Sequence, residues 1–309
     1  MRCLILGGGG FIGSHLTDAL LAAGYAVRVF DRPDLRRYRD FGAHEAIEWL
    51  EGDLANPAHL AVALADSEVV YHLISTTHPK TANDNPLYDL ESNVAATLRL
   101  LEQACAARVR RVVFVSSGGT VYGVPQATPI AETHPTEPLT AYGISKLAIE
   151  KYLHLYQVLH GLDYRILRLA NPFGERQRVH YSQGAVAVFL NHALHDEMIE
   201  IWGDGSVVRD FLYIGDAVRA LVMAASHEGR ERLFNIGAGQ GHSLNQLLGE
   251  LEQMLGRPVR RRYLPGRAFD VPRNVLDISR AARDLNWQPQ TPFETGLRRT
   301  WQWMLDNRL

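Results

Sequence analysis

Residues 2–16 read RCLILGGGGFIGSHL, and the fold turns on how this stretch divides. RCLIL (2–6) is a short apolar run of the kind buried on both faces of a parallel sheet. From Phe11 onward, FIGSHLTDALLAAG has the spacing of a helix packed on one side. The glycines between them fit two overlapping frames, Gly7-x-x-Gly10-x-x-Gly13 and Gly8-x-Gly10-x-x-Gly13. Such a loop permits a tight turn, lets a pyrophosphate approach the backbone and brings helix close to strand. The helix N-terminus behind it presents unpaired N–H groups and a positive dipole end. A tight turn alone would use the same glycines. Asp31 favours the dinucleotide reading, because it follows the second apolar run 18 residues after Gly13, where an acid accepts ribose hydroxyls. A carboxylate there repels the extra phosphate of NADP, so NAD is the expected cofactor, while the adjacent Arg32 works in the opposite sense. Asp53, in EGDL, ends a third run and is either an adenine-side contact or a strand-end turn residue.

Outward from the loop, AVRVF (26–30), IEWL (47–50), VVYHL (69–73), RVVFV (111–115) and YRILRL (164–169) read as further strands. PAHLAVALAD, the stretch around NVAATLRLLEQACAARV, and AYGISKLAIEKYLHLYQVLHG read as helices between them. Alternation of this kind implies an α/β fold, a doubly wound parallel sheet covered on both faces. After about Asn171 the segments become irregular and rich in Gly and Arg, with isolated helices near 184–195, 216–227, 243–255 and 292–306. We therefore divide the chain into residues 1–170, binding the dinucleotide, and residues 171–309, mainly a smaller α/β substrate-binding lobe. Some chain is expected to cross back to the first domain. The lobe is expected to close over the carboxyl edge of the sheet, where open α/β sheets bind ligands.

Composition narrows the function classes. At 309 residues the chain can bury a substantial core as one large unit or two joined lobes. With 32 basic and 34 acidic residues its formal charge is −2, which offers no general attraction to nucleic acid or an anionic membrane. Any phosphate must be held by local groups. Cys3 and Cys105 support neither a disulfide framework nor a zinc site, and no metal is expected. No apolar run approaches the ~20 residues that span a bilayer. RCLILGG runs straight into structure without the shape of a signal peptide, so a cytoplasmic, soluble protein is expected.

Tyr142 and Lys146, in AYGISK, lie four residues apart near the start of a helix and share a face. An ammonium beside a phenol stabilises the phenolate and lowers its pKa from about 10 toward neutrality. Such a tyrosine takes a proton from a hydroxyl while a hydride leaves the same carbon for nicotinamide. Tyr-x-x-x-Lys alone is common on amphipathic helices. Together with GGGGFIG, Asp31, GDL, YHL, Asn93-Val94, VSSGGTVYG, LRLANPFGERQ, WGDGSVVRDFLYIGDAV, NIGAG and GRAFDVPRNVLD, it resembles the extended short-chain dehydrogenase/reductase family over nearly the whole chain. Within that family it is similar to the nucleotide-sugar epimerase/dehydratase branch.

The resemblance implies a Rossmann-type fold with NAD along Gly7, Gly10, Phe11, Ile12 and Gly13, then Asp31, Arg32, Asp53 and Leu54. Leu73 and Ser75, in HLIS, would form the wall beside the cofactor, where the family more often has His-x-Ala-Ala or Ala-Gly. Lys146 would also hold the nicotinamide ribose, and Asn93 would steady the helix carrying Tyr142 and Lys146. Ala96-Thr97 stands where Gly-Thr is usual, and Leu6 where a threonine is usual. In the second lobe Asn171, Arg209 and Arg267 match residues that contact the substrate pyrophosphate, and Asp270 matches the acid on the nucleotide ribose. Arginine suits such work because its planar fork donates two parallel hydrogen bonds. A local ion pair of Arg209 with Asp210 and a solvated loop charge at Arg267 are the structural alternatives.

VSSGGTVYG (115–123) selects among the branch's reactions. Dehydratases and decarboxylases of the branch carry an acid before VYG, whereas the corresponding positions here are Gly118, Gly119 and Thr120. None of these removes a proton as a carboxylate does. Hydride removal and return remain, which is 4-epimerisation of a UDP-sugar through a 4-keto intermediate. Remote binding of the nucleotide would keep that intermediate from escaping. UDP-glucose 4-epimerases usually place a sugar-binding hydroxyl at the Gly118 position, so either Ser117, the nearer, or Thr120 supplies it, or the tyrosine works alone. Asn274 replaces a bulky aromatic of strict glucose/galactose epimerases, leaving room for a 2-acetamido group. UDP-GlcNAc/UDP-GalNAc are thus expected alongside or in preference to UDP-Glc/UDP-Gal. A reductase of a 4-keto nucleotide sugar is the enzymatic rival, and a non-catalytic cofactor sensor the other. The family further implies a homodimer through helices at 85–107 and 142–161.

Overall fold

The structure, a computed structural model, describes residues 1–42, 45–178, 184–266 and 271–307. The chain begins β1 (Arg2–Leu6), α1 (Phe11–Ala22), β2 (Ala26–Asp31), β3 (Ile47–Glu51), α2 (Pro57–Leu64) and β4 (Val69–His72). Next come α3 (Pro79–Asp84), α4 (Pro86–Asp89), a π-helical turn (Leu90–Ala95), α5 (Ala96–Ala106), β5 (Arg111–Ser117), α6 (Ala141–His160) and β6 (Asp163–Leu169). Then follow β7 (Asn171–Phe173), α7 (Ala185–Leu194), β8 (Ile199–Trp202), β9 (Val208–Tyr213), α8 (Ile214–Ser226) and β10 (Leu233–Ile236). The chain ends with β11 (Gly241–Ser243), α9 (Leu244–Leu255), β12 (Arg261–Leu264), β13 (Arg273–Asn274), α10 (Ser279–Asp284) and α11 (Phe293–Asp306).

The parallel sheet expected from the sequence is present, with seven strands in the order β10-β6-β5-β4-β1-β2-β3. All six strands read from the sequence belong to it. The seventh, LFNI at 233–236, is too short and too closely flanked by charges and glycine to show a period. Leu4, Leu6, Val70, Val112 and Phe114 point to one face and meet Leu60, Leu100, Leu101 and Leu153 from the helices. Their neighbours Cys3, Ile5, Val69, Tyr71 and Val113 are buried as well. Burial on both faces is why these strands read as unbroken apolar runs. Strand order reverses beside β1, which has β2 on one side and β4 on the other. The carboxyl ends of β1 and β4 therefore form a switch point, where sheets of this kind bind ligands.

Two compact units interleave along the chain. The first consists of Met1–Tyr122, Thr136–Arg168 and Val218–Phe234; the second of Gly123–Pro135, Leu169–Ala217 and Asn235–Leu309. A break near residue 170 is thus one of several. In the second unit β9 pairs with β11, β13 and β7, and β8 pairs with β12. Two buried acids stitch this unit together. Asp210 accepts N–H bonds from Ala238 (2.7 Å), Gly239 (3.3 Å) and Leu276 (3.2 Å). Asp216 accepts from Gln290 and Thr291 at 3.0 and 2.9 Å. In RDFLYIGDAV both aspartates therefore anchor loops of this unit. Asp210 forms no ion pair with Arg209 among the described residues; backbone N–H groups fill its carboxylate instead.

Candidate active site

The glycine loop forms a tight strand-to-helix turn. Gly7 has φ +88°, and its N–H donates to Phe30 O at 2.9 Å, so the chain leaves β1 through a left-handed turn. Gly13 allows α1 to touch that turn, since a Cβ there would lie 2.2 Å from Gly7 O. Gly10 caps α1 without a side-chain bond, and no acid occupies the first helical turn. The N–H groups of Phe11, Ile12 and Gly13 precede the first intrahelical bond, from Ser14 N–H to Gly10 O at 2.9 Å. Asp31 faces the same loop, accepting from Gly9 N–H at 3.0 Å and Arg32 N–H at 2.9 Å. Burial pushes its pKa up and these two bonds pull it back. Each carboxylate oxygen keeps acceptor capacity for a ribose hydroxyl. A glycine cradle, an uncapped helix start and an oriented acid fit a pyrophosphate-linked dinucleotide.

The remaining cofactor candidates divide. Leu73 N–H donates to Leu6 O at 3.0 Å, and a Cβ on Gly7 would lie 3.2 Å from Ile74, so the HLIS segment does wall the loop. Ser75 Oγ donates to Thr77 O at 3.0 Å. Arg32 is exposed. Asp53 is exposed too and uses one oxygen to accept from Ala55 N–H at 2.8 Å, a local turn bond. Leu54 is core. Asn93 is buried and fully engaged. It accepts from Thr76 N–H at 3.0 Å and donates to Asp89 O, Asp89 Oδ1 and Thr77 Oγ1 at 3.0, 3.1 and 3.2 Å.

Tyr142 and Lys146 share one face of α6, which starts at a Thr140 cap accepting from Gly143 N–H at 3.1 Å. A Cβ on Gly143 would lie 2.9 Å from Thr120 O, so α6 seats its first turn directly on the end of VSSGGT. Lys146 Nζ donates to Val115 O at 3.0 Å and lies 5.6 Å from the centre of the Tyr142 ring. The expectation of a phenol already lowered by the lysine is not met. Burial, with the charge of Asp89 adding to it, pushes Tyr142 up to about 12. Burial pulls Lys146 down to about 8 against the opposing charges of Asp89 and Glu150. In this pocket the cost of desolvating a charge exceeds the help the two groups give each other.

Two neighbours, Asp89 and His72, were given no role from the sequence. Asp89 is 1% exposed and accepts from Ser145 Oγ, Thr77 Oγ1 and Asn93 Nδ2. His72 is buried against Phe114, and its Nε2 meets Thr97 Oγ1 at 2.8 Å. Thr97 already donates to Asn93 O at 2.6 Å, so the proton of the His72 contact belongs to the imidazole. Burial and the charge of Lys146 push His72 down to about 3, which makes it a neutral wall. Thr120 Oγ1 is buried with no hydrogen-bond partner among the described residues.

In the second unit, three of the five substrate candidates lie on adjoining strands. Asn171 opens β7 and donates to Asp210 O at 3.1 Å. Arg209, on β9, donates to Val208 O and Val271 O at 3.0 and 2.7 Å. Asn274, on β13, pairs opposite Arg209 and is buried. Arg267 and Asp270 lie outside the described residues.

A glycine-rich turn, a buried acid facing it and a Tyr-x-x-x-Lys helix on one parallel sheet fit a dinucleotide-dependent enzyme of the α/β class. The chain belongs to the NAD dependent epimerase/dehydratase family, whose profile matches residues 3–237. It is 38% identical over 307 residues to UDP-glucose 4-epimerase of Mycolicibacterium smegmatis, with 97% of each chain covered. The structure of UDP-glucose 4-epimerase with UDP-glucose from Thermotoga maritima matches with a TM-score of 0.94 at 33% identity, covering 100% of both chains. UDP-N-acetylglucosamine 4-epimerase from Methanobrevibacter ruminantium M1, in complex with UDP-N-acetylmuramic acid, matches with a TM-score of 0.93 at 28% identity, covering 99% of this chain and 98% of that one. Other relatives are named as a UDP-glucuronic acid decarboxylase and a dTDP-4-dehydro-6-deoxyglucose reductase. Family membership therefore leaves the reaction to be argued from the site. Among the described residues no helix is long and apolar enough to cross a membrane.

Proposed function

We propose that the chain is an NAD-dependent 4-epimerase of UDP-sugars. The observation carrying this reading is the combination of Tyr142 and Lys146 on α6 with a strand end, Gly118-Gly119-Thr120, that bears no carboxylate. NAD, when bound, supplies the acceptor and then the donor of the C4 hydride. Tyr142 acts in its phenolate form, taking the O4 proton as the hydride leaves and giving it back on the return. Lys146, held by Val115 O, keeps a positive charge beside the phenol. Elimination of water would need an acid or base at 118–120, which glycine and threonine do not provide.

Of the two hydroxyls near the usual O4 contact, Thr120 has the stronger support. A buried hydroxyl without a partner costs about 1–3 kcal/mol, and a sugar oxygen would relieve it. For the nucleotide, the proposal assigns Asn171, Arg209, Arg267 and Asp270 to the diphosphate and ribose. UDP-Glc/UDP-Gal and UDP-GlcNAc/UDP-GalNAc are both proposed as substrates, because Asn274 is smaller than the aromatic of strict glucose/galactose epimerases. We also propose a homodimer. Ile144, Leu155, Val158 and Leu159 of α6 and Leu87, Tyr88 and Leu90 around α4 are exposed apolar side chains on helices that touch. The test is incubation with UDP-, dTDP- and GDP-sugars, reading C4 configuration by NMR. Inversion at C4 of UDP-sugars with no net use of reduced cofactor supports the reading. Stoichiometric consumption of reduced cofactor makes the chain a reductase instead.

A further inference from the structure

The buried acid Asp89 has no role in the reading above. It closes α4, immediately before the π-helical turn, and is 1% exposed. Among the described residues all its donors are neutral: Thr77 Oγ1 and Asn93 Nδ2 on one oxygen, Ser145 Oγ on the other. Every other buried acid described so far is matched by a guanidinium or by backbone N–H groups. Glu150, for example, pairs with Arg168 at 2.6 Å. A carboxylate held only by neutral donors in a low-dielectric site keeps most of its field, and that field acts on whatever charge lies nearby. Ser145 precedes Lys146 on α6. Among the described residues the lysine has only Val115 O as its hydrogen-bond acceptor, at 3.0 Å.

We propose that Asp89 is the counter-charge of Lys146 and, through Ser145, the residue that positions the Tyr142/Lys146 face of α6. The two ionised groups do not touch. They are linked by one hydroxyl and one peptide, so the charge is shared without the carboxylate drawing the ammonium away from the phenol. The π-helical turn is part of the device. Extra backbone in a helix swings a side chain out of its ordinary register, and such turns gather at functional sites. Here Asn93 and Thr97 follow Asp89 at intervals of four, each bonded to the carbonyl four residues before it, which locks the acid against α6.

Other charges bear on the same lysine. Glu150, four residues along α6, also favours its charged form, but Arg168 compensates it. His72 on β4 is neutral. Lys80 and Asp84 on α3, Glu91 in the π turn, and Arg99 and Glu102 on α5 are exposed to solvent, where screening weakens them. Asp89 is left as the buried, uncompensated anion. It opposes the loss of the lysine proton, and it also opposes ionisation of Tyr142.

The inference deepens the proposed function, but its test does not depend on turnover. The chain has three lysines, Lys80, Lys146 and Lys151, so selective ¹³C labelling of lysine resolves the titration of Lys146 by NMR. In the full chain with NAD, Asp89→Asn is expected to lower the Lys146 midpoint by about one pH unit or more. Ser145→Ala, which removes the hydrogen bond and keeps the charge, should leave it close to wild type while lowering kcat. An unchanged Lys146 midpoint in folded Asp89→Asn overturns the proposal. If Asp89→Asn does not fold, Lys146→Met and the double variant decide the matter. Recovery of folding when both charges are removed supports the pairing. A double variant that stays unfolded while Lys146→Met folds refutes it.

Discussion

At the scale of single residues, the site is a contest between burial and charge. Tyr142→Phe removes the phenol proposed to exchange the O4 proton, and a fall of roughly 10²–10⁴-fold in kcat is expected. Near-normal turnover would remove the tyrosine from the mechanism. Lys146 is held down to about 8 by burial, so its ammonium is complete below that pH and lost as pH rises through it. An alkaline limb in kcat is therefore expected, and Lys146→Met should abolish it together with most of the rate. Thr120→Val and Ser117→Ala separate the two hydroxyls: the first should cost more in kcat than the second, and the reverse order would return the role to Ser117. Tyr142, Lys146 and Asp31 were legible because each stands at a fixed distance from a recognisable turn or helix start. Asp89 was not, since NPLYDLESN has the polarity of a solvated segment and only the folded chain buries its acid.

At the scale of elements, close approach explains the positions that spacing alone could only suggest. Gly13→Ala would drive a Cβ to within 2.2 Å of Gly7 O. The expected result is loss of NAD binding by titration and about 1–3 kcal/mol of stability by denaturant melt. Retained binding would mean that the loop is only a turn. The strands were readable because two-sided burial makes them uniformly apolar. The π-helical turn was not, because a single extra residue per turn leaves the helical pattern around NVAATLRLLEQ nearly intact. Asp210 shows the same limit: its motif was visible, but its task, holding the chain at Ala238, Gly239 and Leu276, depends on contacts far apart in sequence. Burial, partly offset by those N–H bonds, holds its carboxyl up at about 6, against about 3.9 in an unfolded chain. Between those values the native chain keeps a proton that the unfolded chain has lost, so stability falls as pH rises from about 4 to about 6. The melting-temperature advantage of wild type over Asp210→Asn should therefore shrink across that window. An advantage that grows would mean the N–H bonds outweigh burial.

At the scale of the molecule, the two units interleave along the chain. The segment after Tyr122 joins the second unit and the chain from Val218 to Phe234 returns to the first. Composition along the chain changes only once, so it marks only one of those crossings. Exposed Val158 and Leu159 on α6 lead to a further expectation: replacing both with aspartate should convert a dimer to a monomer in analytical ultracentrifugation. A wild-type chain already monomeric would contradict the proposed dimer. The reaction itself is tested most directly with UDP-galactose deuterated at C4, incubated with the chain and NAD in ordinary water. The expected product has the opposite configuration at C4 and retains its deuterium, because the hydride removed is the hydride returned. Loss of deuterium to solvent, or no inversion without added reduced cofactor, would contradict epimerisation by reversible hydride transfer.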